Sequence, residues 1–88
     1  MFKLKTTDGK NNLCGGQVYR LRKQKKPRMS QRALADRLQL YGMDVDKNAV
    51  QRIECGKRFV TDMELVILAH ALDVSLYELL KPDVSDLT

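Results

Sequence analysis

Asp46-Lys47-Asn48-Ala49-Val50-Gln51-Arg52-Ile53-Glu54-Cys55-Gly56-Lys57-Arg58 is the stretch that decides how the chain is read. Asp46 is an N-cap residue, whose carboxylate accepts from the free backbone N–H groups at the start of a helix. Gly56 is the residue type that takes the left-handed conformation closing one. Between them the spacing predicts a short helix over 47–54. At about 100° per residue, Lys47, Asn48, Gln51 and Arg52 fall within an arc of roughly 140°. Val50 and Ile53 fall on the opposite side. The outward stripe is cationic and amide-bearing with no acid in it, and the inward stripe is apolar.

Upstream, Ser30 is an N-cap ahead of Gln31–Leu38, where Leu34 and Leu38 share a face and Ala35 permits close approach by another helix. That helix extends toward Leu40 and Tyr41 and stops at Gly42. Gly15-Gly16 breaks the chain before a first helix that begins near Gln17 and shows Val18 and Leu21 on one face. Pro27 stops it, because the residue before a proline is pushed out of the helical region. Downstream, Thr61-Asp62-Met63-Glu64 reads as a capping box. Leu65, Leu68, Ala69 and Leu72 follow at helical spacing, with Val66 and Ile67 adding a second apolar face, so this helix is expected to be buried on most sides. Ser75-Leu76-Tyr77-Glu78 is another capping box, opening a last short helix through Leu80 that Pro82 ends. No internal repeat and no strand pattern appears. The expectation is an all-α, compact five-helix bundle over residues 13–81, with a flexible N-terminal arm over 1–12 and a flexible C-terminal tail over 82–88.

Length and charge narrow the function classes. Eighty-eight residues make one domain with a compact core and little room for an enclosed pocket with its own lid. No nucleophile–base pair or metal-ligand set is legible, and Glu54 has no second carboxylate or His at a matching spacing, so the expectation is no enzyme, no cofactor and no metal. The net charge of +5 is unevenly spread. Residues 20–58 hold twelve Lys/Arg against four acids, a net of +8, while Phe59–Thr88 hold one base against six acids, a net of −5. Such polarity suits a polyanion on one face and solvent or a second subunit on the other. Cys14 and Cys55, 41 residues apart, resemble neither a zinc site nor a disulfide framework. With no secretory signal and no membrane-spanning run, the expected setting is the reducing cytoplasm with free thiols and no membrane partner.

The stripe on the third helix has a definite chemistry. Lys or Arg reaches guanine O6 and N7 in the major groove, and Asn or Gln pairs with adenine N6 and N7. Lys47, Asn48, Gln51 and Arg52 are therefore candidate base-reading residues. Gln31, at a helix N-terminus where free N–H groups suit phosphate, Arg32 beside it, and Lys57 and Arg58 beyond the third helix are candidate phosphate contacts.

Ser30-Gln31, Ala35 and Leu38, then Val50 through Arg58, with Thr61–Leu65 and Leu68–Ser75 following, resemble the lambda-repressor/Cro-like helix-turn-helix regulators (the xenobiotic-response-element class) from about Gly16 to Leu80. The resemblance implies the same fold and sequence-specific binding to double-stranded DNA as a small transcriptional regulator, with the helix at about 47–54 in the major groove. It gives Gln31 the phosphate-contacting position and Lys47, Asn48, Gln51 and Arg52 the base-reading ones. It also pairs Arg22 with Glu54, a brace that neutralises an acid near DNA and ties helix one to helix three. A homodimer on a pseudo-palindrome is expected, with a patch around Leu76, Tyr77 and Leu80 joining the copies. Two departures stand out: the link from Lys23 to Ser30 is about two residues longer than the family pattern, and about five extra residues separate Leu38 from Asp46. The alternative for such a fold is a protein-interaction module or an antitoxin component.

Overall fold

The computed structural model describes residues 5–81, within which the chain forms five α-helices: α1 (Gly15–Gln24), α2 (Gln31–Leu40), α3 (Lys47–Glu54), α4 (Asp62–Leu72) and α5 (Leu76–Leu80). Ser30, Asp46, Thr61 and Ser75 each accept, through the side chain, the backbone N–H three residues on. Thr61 and Glu64 complete the reciprocal capping box. α1 starts earlier than the double glycine suggests. Cys14 offers no side-chain cap, and Asn12 Oδ1 instead accepts the Gly15 N–H at 2.8 Å, so both glycines sit inside the first turn.

The ends of α2 and α3 use one backbone device. Gly42 (φ 90°) follows α2 and Gly56 (φ 80°) follows α3. The next N–H then folds back onto the helix, from Met43 to Leu38 O at 3.0 Å and from Lys57 to Arg52 O at 2.9 Å. Glycine takes this φ without a Cβ clash. α4 closes in the same way through Asp73 (φ 57°), a residue type that tolerates the region better than most.

α3 packs on α1 and α2, while α4 closes the other side of the bundle against α1, α2 and α5. Val18, Leu34, Leu38, Val50, Ile53, Leu68, Leu72 and Leu79 are fully buried between them. α3 thus contributes one apolar face to the core and leaves the other at the surface. α4 is less enclosed than its composition suggests: Leu68, Ala69, Ala71 and Leu72 are buried, but Val66 is 44% and Met63 73% exposed. Its three neighbours leave one flank open, and that flank carries apolar side chains.

The long α2–α3 turn is held from inside. Met43 and Val45 are buried, and Gln39 Nε2 donates to Val45 O at 2.7 Å. The chain ahead of α1 also has partners. Asn11 N donates to Gly56 O at 2.8 Å, and Asn12 Nδ2 donates to Ile53 O and Arg58 O. Residues 10–12, read from sequence as part of a loose arm, therefore rest on the end of α3. The rest of that arm at 1–4 and the tail at 82–88 lie outside the described residues. Among the described residues no helix is long and apolar enough to cross a membrane.

Candidate nucleic-acid interface

The inward side of α3 is fixed by Val50 and Ile53, both buried, and its period then sets the outward side. Lys47, Asn48, Gln51 and Arg52 are all exposed. None of the four is in an ion pair among the described residues. At the α2 end, Arg32, Asp36 and Gln39 join Asp46, Lys47 and Asn48 around a shallow cleft. Asp46 Oδ1 accepts the Ala49 N–H at 2.8 Å, so this carboxylate is engaged in starting α3.

A buried polar cluster holds the far end of α3. Arg22 Nε donates to Glu54 Oε2 at 2.7 Å and its Nη2 to Oε1 at 3.1 Å, with both side chains almost wholly out of water. The fork-to-fork geometry is the one in which a guanidinium best compensates a desolvated carboxylate. Arg22 Nη1 also donates to Met29 O at 2.9 Å, and Gln31 Nε2 donates to Glu54 Oε1 at 2.9 Å. One guanidinium and one carboxylate thus join α1, the α1–α2 link, the start of α2 and the end of α3.

The phosphate candidates are placed differently from one another. Arg32 and Lys57 are exposed. Gln31 is half-buried with its amide N–H committed to Glu54, leaving its carbonyl and the helix N-terminus as the outward features. Arg58 turns away from α3 and forms a two-point pair with Glu64 of α4, at 3.0 and 3.2 Å. That pairing holds the Glu64 carboxyl below the usual carboxylate range, the Arg58 hydrogen bond being the main cause.

Two contributors were not singled out from sequence. Asn12 ties the α3 C-terminal carbonyl of Ile53 to the segment leaving α3 at Arg58. Gly15 lies so close to the end of α3 that a Cβ there would stand 2.3 Å from Ile53 O. The signal was the pair Asn11-Asn12 two residues ahead of Gly15-Gly16, which reads locally as a turn. The two thiols are free, Cys14 buried and Cys55 exposed, and burial pushes the Cys14 thiol up to about 11. Among the described residues no group of His, Cys, Asp and Glu is placed to hold a metal ion.

Comparison with known proteins places this architecture. The helix-turn-helix family model matches residues 18–79, from within α1 to within α5. The chain belongs to that family, in its lambda-repressor/Cro-like branch. Its fold is similar to the crystal structure of the restriction-modification controller protein C.AhdI from Aeromonas hydrophila, with a TM-score of 0.61 and 31% sequence identity over 74% of this chain and 88% of that one. No curated protein matches. In this helix-turn-helix domain α2 and α3 form the motif, joined by a turn that runs from Tyr41 to Asp46. The family is one of DNA-binding transcription regulators, which gives the acid-free face of α3 its context.

Proposed function

We propose that the protein regulates transcription by sequence-specific binding to double-stranded DNA, with α3 in the major groove as its recognition helix. One observation carries this reading: Lys47, Asn48, Gln51 and Arg52 are exposed together on a helix whose other face is buried and whose end is braced by Arg22–Glu54. Amide and cationic side chains in that register match the donor and acceptor pattern of purine edges. Arg32, Lys57 and the N-terminus of α2 flank the same helix and supply phosphate contacts that set its register. The controller role of the similar structure supports a small regulator of this kind.

The protein acts as a homodimer, one copy per half-site about one helical turn apart. Support comes from an apolar flank on α4 and α5, where Met63 (73%), Tyr77 (71%), Val66 and Leu76 are exposed. Leu76→Asp is expected to convert a dimer to a monomer in sedimentation equilibrium while the helical content stays unchanged. A monomeric wild-type protein at the concentrations that saturate DNA contradicts the dimer.

Titration of labelled duplexes at several salt concentrations tests the DNA reading. Gln51→Ala relaxes base preference with little change in salt dependence. Lys57→Ala weakens all sequences alike and lowers the salt slope by about one. Binding equally weak to every sequence, or none at low salt, overturns the reading.

A further inference from the structure

The segment between α1 and α2 carries a charge density that the recognition helix does not account for. From Arg20 to Ala35 the chain has seven Lys/Arg and no acid. Lys25, Lys26, Pro27, Arg28 and Met29 form one wall of an open concavity of about 490 Å³, and Ala33 and Arg37 of α2 form the other. Its floor is apolar, its rim is cationic, and no carboxylate lines it. Among the described residues Lys25, Lys26 and Arg28 form no ion pair, and Lys26 and Arg28 are exposed.

Like charges clustered without counter-charges repel one another, so such a patch is retained at a cost unless an anion meets it. Its position says which anion. Arg22 donates to Met29 O through Nη1 and to Glu54 through Nε and Nη2, so the same guanidinium holds the link and the end of α3. Ser30, the next residue, caps α2 and leaves the first N–H groups of that helix beside the link. The link therefore keeps a fixed register against the helix that faces DNA. A duplex seated on α3 is the polyanion nearest to this patch, because the link that bears it is bonded through Arg22 to the residue that ends α3.

We propose that Lys25, Lys26 and Arg28 form a second phosphate-binding surface, which grips the duplex backbone beyond the base pairs facing α3. The inference rests on the DNA-binding reading above and extends its footprint. The lengthened link is then a functional element: its added residues carry cations out to a phosphate row that a tighter connection does not reach. These side chains touch backbone only and add affinity and salt dependence without changing which bases are preferred.

The test compares wild-type protein with the triple variant Lys25→Gln, Lys26→Gln, Arg28→Gln on one preferred duplex, as log K against log salt, together with phosphate-ethylation interference. The expected result is a slope smaller by about two to three, unchanged base preference, and loss of interference at phosphates outside the half-site. Lys25→Arg with Lys26→Arg retains the wild-type slope, which a role in packing alone does not require. Matching thermal melts establish that the triple variant is folded. Salt-dependent wild-type binding with an unchanged slope in the triple variant overturns this inference alone. Failure of the wild type to bind any duplex overturns the DNA-binding reading and this inference with it. Loss of binding to an acidic protein segment, with DNA binding intact, assigns the patch to a protein partner and also overturns it.

Discussion

The two ends of α3 are held in different ways. At its C-terminal end, α3 is tied to three other parts of the chain by polar groups: Arg22 from α1, Gln31 from α2, and Asn12 from the segment ahead of α1. At its N-terminal end it is held by its own cap, Asp46, and by a turn that leans on α2 through Met43, Val45 and Gln39. One end is cross-braced by directional bonds whose geometry admits little freedom. The other is positioned by apolar packing and a single carboxylate. Gln51 and Arg52 accordingly sit on the rigid part of the proposed reading surface, while the orientation of Lys47 and Asn48 depends on the turn.

The largest effect is expected at the brace. Arg22→Ala leaves Glu54 charged and buried without its partner, and urea unfolding should show a loss of about 3–5 kcal/mol. Arg22→Met with Glu54→Leu should recover most of that loss, since exchanging both charges for apolar groups removes the desolvation penalty. A single variant as stable as the wild type breaks the distinction between the two ends. At the opposite end, Met43→Ala removes a buried side chain from the turn and should cost about 2–5 kcal/mol in the same assay. Its effect on base preference should fall at the positions that the proposed function assigns to Lys47 and Asn48, whereas Arg22 variants stable enough to assay should affect the whole site.

Gly15→Ala drives a Cβ into Ile53 O and should destabilise by about 1–3 kcal/mol. Gly16→Ala, with open space around its Cα, should be neutral or stabilise by up to about 1 kcal/mol. Equal effects at the two glycines contradict the close approach of α1 to α3. Asp46→Ala removes one cap and should cost about 1 kcal/mol, read as a shift in thermal midpoint. The thiols give the mildest probe of the same contrast. Cys55, at the end of α3, should be alkylated in the folded protein, while buried Cys14 should stay protected until unfolding.

Much of this arrangement was legible in the sequence because it is written locally. Ser30, Asp46, Thr61 and Ser75 announce helix starts within four residues, and the period of Val50 and Ile53 determines which α3 side chains face outward. The contact of Arg22 with Glu54 spans 32 residues and no periodicity reports it; the family resemblance did. Asn12 was not legible because its partners, Ile53 O and Arg58 O, are backbone atoms carrying no sequence signal. Arg58 has the residue type of a phosphate clamp, yet Glu64 lies in reach once α4 folds back. The turn from Tyr41 to Asp46 reads as an insertion, although Met43 and Val45, alternating in a polar stretch, already mark the two side chains that dock.

Selection of bound duplexes from a random pool, run in parallel with wild type, Gln51→Ala and Asn48→Ala, tests the central claim that α3 reads DNA. The account predicts a defined wild-type site with two-fold character, loss of preference at one position per half-site for Gln51→Ala, and relaxation at a different position for Asn48→Ala. A wild-type pool without a preferred sequence, or identical preferences in all three proteins, contradicts it.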